Sequence, residues 1–196
     1  HTVAELGLLK FDFLGLRYLT VCADTERMVQ KKNPKFSLST LPTDDEATYA
    51  MLSHGQTDGV FQLESGGMKQ TLMKLQPTCM EDIMVAIALY RPGPMDSIPR
   101  FLANRAEPKA LSYPIEKLEP ILSPTYGCIV YQEQVMQICR SVAGYSFGKA
   151  DKVRRIMAKK KVAQMENERK NFLAGAKQNF IDESVANALF DDMSSF

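Results

Sequence analysis

The chain has 196 residues, of which 45% are hydrophobic and 24% are charged, a composition typical of a folded globular protein and not of a disordered one. No apolar run approaches the ~20 residues of a membrane-spanning helix, and no secretory leader opens the chain, so we expect a cytoplasmic protein without membrane association. The net charge of +1 hides an uneven distribution: residues 1–139 carry −3, residues 140–177 carry +8 and residues 178–196 carry −4. The basic block at 140–177 is typical of a solvated helix surface, and it is also the electrostatic signature of a phosphate or nucleic-acid contact.

Apolar residues alternate with other residues near the start of the chain, over 7–14, which predicts a short strand. Leu9, Phe11 and Phe13 fall on one face of this strand, and Lys10 and Asp12 fall on the other. Two charged side chains about 6.6 Å apart on one strand face are explained either by exposure to solvent or by a site that faces a cleft. From the spacing alone, an exposed face is the better interpretation.

The rest of the chain is predicted to be mostly helical. Apolar residues recur at helical spacing over 16–32, and Asn33-Pro34 ends that helix. Further helices are predicted over 46–53, 68–75, 79–90, 98–106, 116–121, 132–143, 147–161, 163–180 and 183–196. Residues 60–63 are predicted to be extended, and residues 128–131 form either a short strand or the lead into a helix. The predicted fold class is therefore mainly α with a few short β-strands (α+β).

The densest part of the basic block lies on the helix predicted over 147–161. One face of this helix is apolar and is expected to face the core, and it is formed by Phe147, Ala150, Val153 and Met157. Cationic side chains form two further stripes: Lys152, Arg155 and Lys159 on one, and Arg154 and Lys161 on the other. Because like charges at helical spacing repel each other by a few tenths of a kcal/mol per pair, the pattern favours an anionic partner.

Five segments, in order, resemble the alpha subunit of bacterial DNA polymerase III, the DnaE-type replicative polymerase of the C family. They are GLLKFDFLGLRYLT at 7–20, VFQLESGGMK at 60–69, ALYRPGP at 88–94, PTYGCIVYQEQVMQI at 124–138 and AGYSFGKADKVRRIMAKKK at 143–161. No single segment is decisive, but together they span nearly the whole chain. The resemblance implies an internal piece of a template-directed DNA polymerase. Residues 1–20 would be the end of the palm with its last strand, and residues 21–196 a helical fingers domain truncated at its C-terminal end.

The resemblance also implies catalytic roles for the charged pair near the start of the chain. Asp12 stands in the place of the third metal-binding aspartate of the palm, and Lys10 in that of a neighbouring lysine near the nucleotide triphosphate. With the family in view, we favour a site for this pair over an exposed strand face. Nucleotidyl transfer uses two Mg²⁺ ions about 3.5–4 Å apart, which Asp12 alone does not hold. The other palm aspartates would lie upstream, so we expect the isolated chain to be inactive.

In the basic block, Arg154 and Arg155 stand where the family carries paired arginines that reach the triphosphate of the incoming nucleotide. Arginine suits this role because its planar guanidinium binds phosphate oxygens bidentately and keeps its charge. Weaker DNA-binding candidates, each with a structural alternative such as an ion pair or a solvated surface, are Arg91, Lys159, Lys160 and Lys161. The segment 131–134 begins a helix near the family's nucleotide pocket, and a hydrogen-bond network at the edge of the core explains it equally well.

The implied partners are primer–template DNA and deoxynucleoside triphosphates, with other replicase subunits bound through regions outside this chain. One alternative is a non-catalytic helical module that binds nucleic acid or nucleotide by charge. Another is a structural role in which the acidic residues 178–196 neutralise the basic block. The sequence departs from the family at Ala158 and Lys149, where glycine is often found. Because alanine favours helix by up to about 1 kcal/mol over glycine, the predicted helix extends into the lysines.

Overall fold

The computed structural model describes residues 2–9, 11–160 and 162–195. These residues form helices joined by turns and loops, and no β-strand occurs among them. The α-helices are α1 (Thr2–Glu5), α2 (Arg17–Gln30), α3 (Glu46–Ser53), α4 (Gly66–Leu75), α5 (Met80–Leu89), α6 (Ile98–Ala106), α7 (Glu119–Leu122), α8 (Gln132–Ala143), α9 (Phe147–Ala158), α10 (Val162–Gln178) and α11 (Glu183–Ser195). Short 3₁₀ helices cover Leu38–Thr40, Pro94–Ser97, Pro108–Ala110, Glu116–Leu118 and Ser123–Thr125. No helix in this described part of the chain is long and apolar enough to cross a membrane.

The predicted palm strand over 7–14 is wrong, and so is the α+β fold class. The chain is helical over Thr2–Glu5 and has no regular secondary structure over 11–16. A strand needs a second strand to pair with its N–H and C=O groups, and the described residues supply none. The alternating pattern does not bury one face either, because Phe13 and its neighbour Leu14 are 96% and 95% exposed.

The two other segments with extended character are also not strands, because their backbone groups find local partners. In the turn over 60–63, the Leu63 amide donates to the Val60 carbonyl at 3.0 Å, and the Thr57 hydroxyl donates to the Leu63 carbonyl at 2.6 Å. Ahead of α8, the Gln134 side-chain oxygen accepts from the amides of Val130 and Tyr131 at 2.8 and 2.9 Å. Residues 128–131 are therefore the lead into α8, which was the alternative to a strand.

The chain divides into two compact units, residues 1–45 and residues 46–196. The first unit is built on α2, which agrees with the helix predicted over 16–32. The loop after α2 is tied to it by two hydrogen bonds: the Leu38 amide donates to Glu26 at 3.1 Å, and the Gln30 side chain donates to the Phe36 carbonyl at 2.8 Å. No residue of this unit whose exposure the structure describes (3, 5–9 and 11–45) is buried.

The second unit contains two hydrophobic clusters. The first is formed by α3 to α6 and residues 128–130, and its most buried side chains include Leu72, Leu89 and Phe101. The second is formed mainly by α8 to α11, and Ile138, Phe172 and Phe190 are almost completely buried in it. The second cluster fixes the positions of α8 and α9, the helices that carry the basic block's first residues.

Helix α9 is shorter than predicted. Its N-terminus is capped by Ser146, whose hydroxyl accepts from the Lys149 amide at 3.3 Å. The predicted core positions at 150, 153 and 157 are buried, whereas Phe147 is 65% exposed. The helix ends at Ala158, and Lys160 has a left-handed φ of 47°. The alanine at 158 therefore does not extend the helix into the lysines, because the chain turns at Lys159 and Lys160.

Candidate functional site

The two adjacent arginines of α9 share one carboxylate. Asp151 lies one helical turn before them, and its Oδ1 accepts from Nε and Nη2 of Arg154 at 2.9 and 2.7 Å. Its Oδ2 pairs with Nη2 of Arg155 at 2.8 Å. One negative charge thus faces two positive charges, so the group keeps an excess of positive charge on the protein surface.

A side chain from α8 completes the contacts of Arg154. Nη1 of Arg154 donates to the side-chain oxygen of Gln132 at 2.7 Å, so all three guanidinium nitrogens of Arg154 are hydrogen bonded. Gln132 is the first residue of α8, and the packing of α8 on α9 brings it to Arg154 across 22 positions of sequence. The two arginines therefore differ in exposure: the Arg154 side chain is 25% exposed, and that of Arg155 is 67% exposed.

The arginine pair changes the acidity of Asp151. The hydrogen bond from Arg154, together with the positive charge of Arg155, lowers the pKa of the Asp151 carboxyl below its ordinary value. The carboxylate is therefore ionised throughout the neutral range, and the contacts to both arginines are charge-assisted hydrogen bonds.

Two hollows meet at Gln132. The smaller one, of about 50 Å³, is lined by Gln132, Val135, Arg154, Met157 and Ala158. The larger one has a volume of about 590 Å³, and its lining includes Arg91, Tyr131, Gln132 and Glu133. Gln132 therefore lines both hollows, and in the smaller one it lies beside Arg154.

Arg91 lies in the larger hollow, as part of the break between α5 and the next 3₁₀ helix. The break is fixed by Pro92 and by Gly93, whose φ of 105° favours glycine. The Arg91 side chain forms no ion pair or hydrogen bond with another side chain within the ranges 2–9, 11–160 and 162–195, so the structural alternative of an ion pair finds no support there. Lys159 and Lys160 are exposed just after α9. Lys161 lies outside the described residues.

The structure does not bring the predicted metal ligand into a metal centre. Asp12 is exposed in the irregular segment 11–16 of the first unit, and Lys10 lies outside the described residues. Across the part of the chain that the structure describes, no group of three or more His, Cys, Asp or Glu side chains is placed to hold a metal ion. These residues therefore do not fit a magnesium centre by themselves. That Asp12 and the arginine pair serve one nucleotide stays a prediction.

Two residues of the site were missed or undervalued by sequence reasoning. Asp151 was not singled out, although its spacing of three and four residues from Arg154 and Arg155 is a readable signal for helical ion pairs. Gln132 was noted only as part of a segment with an equally good structural explanation. Its contact with Arg154 depends on how α8 packs on α9, which no local pattern encodes.

Comparison with known proteins gives the same family throughout. Residues 18–180 match the family described as "Bacterial DNA polymerase III alpha subunit finger domain". The chain is 48% identical over 200 residues to DNA polymerase III subunit alpha of Thermus aquaticus, a match that covers 99% of this chain and 16% of that protein. It is 46% identical over 197 residues to the protein of the same name from Staphylococcus epidermidis strain ATCC 12228, covering 100% of this chain and 18% of the relative.

A third relative, DNA polymerase III subunit alpha of Staphylococcus aureus strain COL, is 45% identical over 197 residues, again 100% of this chain and 18% of the relative. This chain thus spans less than a fifth of the length of these relatives. The resemblance read from the five sequence segments is confirmed by these matches. The family model matches most of the chain, and the three relatives match 99–100% of the chain at 45–48% identity. The chain therefore belongs to the finger domains of bacterial DNA polymerase III alpha subunits.

Proposed function

We propose that this chain is the nucleotide-binding part of the fingers of a template-directed DNA polymerase, in which Arg154 and Arg155 bind the triphosphate of the incoming deoxynucleotide. The observation that carries the proposal is the excess positive charge of the two guanidinium groups around the single carboxylate of Asp151. The relatives' printed name, DNA polymerase III subunit alpha, supports the reaction class, which is transfer of a deoxynucleotide to a primer 3′ end.

The chemistry of the arginine pair suits a triphosphate. Phosphoryl transfer is accelerated mainly by positioning the phosphates and stabilising their negative charge. A guanidinium group binds phosphate oxygens bidentately and stays charged at every physiological pH. Arg155 is two-thirds exposed and has a single ion pair, so its remaining N–H donors face outward for a ligand. Arg154 is held in place on two sides and supplies fixed positive charge beside it.

The remaining parts of the proposed reaction lie outside what this chain supplies. A magnesium centre with Asp12 as one ligand requires further carboxylates from elsewhere, and Lys10 beside it stays a predicted helper. We therefore propose that the chain alone has no polymerase activity. We also keep the division into the end of a palm at 1–20 and fingers at 21–196, and primer–template DNA with deoxynucleoside triphosphates as the partners.

The lysines after α9 support a second candidate, a non-catalytic module that binds nucleic acid by charge. Lys159 and Lys160 are exposed close in sequence to the arginine pair, and exposed lysines contact phosphates of any sequence. In this candidate, binding depends on salt and on the total basic charge, without special weight on Arg154 and Arg155. The arginine pair, which is organised by specific hydrogen bonds, favours the nucleotide-binding role.

The test uses single-turnover incorporation by a full-length alpha subunit that carries this segment, with the deoxynucleotide concentration varied. A charge-assisted hydrogen bond is worth about 1.5–3 kcal/mol, so Arg155→Ala is expected to raise the half-saturating nucleotide concentration roughly 10–100-fold. Lys177→Ala is the matched control, because it removes an exposed cation from α10. An Arg155→Ala variant with the half-saturating concentration of Lys177→Ala contradicts the proposal.

A further inference from the structure

The two arginines of α9 differ in how much of their hydrogen-bonding capacity is already used. Arg154 donates from all three nitrogens, to Asp151 at 2.9 and 2.7 Å and to Gln132 at 2.7 Å. Arg155 has one ion pair with Asp151, at 2.8 Å, and its side chain is 67% exposed. The environment therefore fixes the first guanidinium and leaves the second able to turn toward a ligand.

The fixed guanidinium is held from two helices. Asp151 lies on α9 itself, three residues before Arg154, and is only 24% exposed. Gln132 begins α8, and the backbone just before it is held by the side chain of Gln134. The Gln134 side-chain oxygen accepts from two backbone amides of that segment. The Gln134 side-chain nitrogen donates to the Ile121 carbonyl at 3.0 Å and to the Thr125 hydroxyl at 2.7 Å. Because the start of α8 is held this firmly, the Gln132 side chain is a fixed acceptor for Arg154.

Asp151 has two functions in this geometry because its two oxygens face different arginines. Its Oδ1 holds Arg154, and its Oδ2 holds Arg155. A triphosphate that binds Arg155 competes with Oδ2, while the bonds of Oδ1 to Arg154 are unaffected by that exchange. The Asp151 carboxylate thus weakens the binding of an anion to Arg155, and it keeps the Arg154 guanidinium in one orientation.

We propose that Asp151 and Gln132 are positioning residues for nucleotide incorporation, which hold Arg154 at the triphosphate while Arg155 exchanges its ion pair with Asp151 for the triphosphate. This inference rests on the proposed function of the arginine pair. It assigns each arginine a separate role: Arg155 supplies most of the binding affinity, and Arg154, held by its two partners, supplies the orientation on which the reaction rate depends.

The expected kinetics separate positioning from binding. In the full-length alpha subunit that carries this segment, Asp151→Asn and Gln132→Leu are each expected to lower the maximal rate constant of incorporation by about tenfold or more, since small displacements of a positioned group cost rate steeply. The half-saturating nucleotide concentration does not rise in either variant. It falls in Asp151→Asn, because the carboxylate that competes for Arg155 is gone. Asp192→Asn is the matched control, since it removes another surface carboxylate that is paired with an arginine, Arg100.

A double-mutant cycle shows whether Gln132 acts through Arg154. Gln132→Leu is expected to have no additional effect on the maximal rate constant when Arg154 is already alanine. The inference is overturned if Gln132→Leu lowers the maximal rate constant fully in the Arg154→Ala background. It is also overturned if both positioning variants have the maximal rate constant of Asp192→Asn, or if Asp151→Asn raises the half-saturating nucleotide concentration as Arg155→Ala does. If Arg155→Ala itself leaves that concentration unchanged, it is the proposed function that fails, and the two failures are thereby distinguished.

Discussion

Arg154 and Arg155 are neighbours in sequence, but the helix sends their side chains about 100° apart. One of them reaches Gln132 on α8 and is three-quarters covered, and the other points to solvent. The pair shows how one residue type, used twice in succession, gives a largely covered charge with several partners and an exposed charge with one ion pair. A lysine at either position would keep the charge, but it would lose the planar fork of N–H groups with which an arginine contacts Asp151.

The acidity of Asp151 reports directly on this arrangement, and it gives a prediction at the scale of one residue. Because its pKa is lowered in the folded chain, the contacts with the arginines contribute to stability above the ordinary aspartate pKa of about 3.9. That contribution is lost as the pH falls through the lower folded value. We expect the Asp151 carboxyl carbon to titrate below the ordinary value by NMR, and to move back toward it in Arg154→Ala, which removes the largest cause of the shift.

Two results of this titration would contradict the prediction. An Asp151 carboxyl that titrates at the ordinary aspartate value in the wild-type chain would show that the arginines do not hold it in solution. A lowered value that is unchanged in Arg154→Ala would show that the shift has another origin.

At the scale of elements, most helices were predictable, and the predicted strand was wrong. Helix α2 and the helices of the second unit follow the 3.6-residue apolar period, with caps such as Ser65 and Ser146 at their starts. The residues over 7–14 satisfy the period of a strand equally well, but a strand also requires a partner whose identity no local pattern contains. The end of α9 was misplaced for a related reason, because helix propensity at Ala158 was outweighed by the left-handed turn at Lys160.

The close approach of α10 to the end of α8 gives a prediction at this scale. A Cβ at Gly175 would overlap the carbonyl oxygen of Ala143 and lie 3.0 Å from its Cβ, whereas a Cβ at Gly148 on α9 would meet nothing within 4 Å. Gly175→Ala is therefore expected to destabilise the chain by about 1–3 kcal/mol, since backbone must shift to make room. Gly148→Ala is its matched control and is expected to stabilise the chain by up to about 1 kcal/mol. Urea unfolding of the two variants and the wild type measures both changes, and a Gly175→Ala variant as stable as Gly148→Ala would refute the packing of α8 against α10.

At the scale of the whole molecule, the chain corresponds to one part of much longer relatives. It spans less than a fifth of its polymerase relatives, and its described residues contain an organised arginine pair but no metal-binding cluster. The sequence indicated the family, because the family depends on motifs, and the role of both arginines at a triphosphate stays a prediction. Asp151 is readable from its spacing to both arginines, whereas Gln132 was beyond the sequence, because the packing of α8 on α9 brings it to Arg154. Whether Asp12 and Lys10 act on the same nucleotide stays a prediction.

The central claim is that Arg155 binds the nucleotide triphosphate, and chemical protection of the arginines tests it most directly. A full-length alpha subunit that carries this segment is bound to a primer–template whose primer lacks a 3′ hydroxyl, and is treated with phenylglyoxal with and without the correct deoxynucleotide. Mass spectrometry then gives the modification of each arginine. Arg27 is the internal control, because it is 72% exposed and is paired with a carboxylate on its own helix much as Arg155 is. We predict that the nucleotide protects Arg155 and leaves Arg27 unchanged, whereas equal modification of Arg155 with and without saturating nucleotide would contradict the claim.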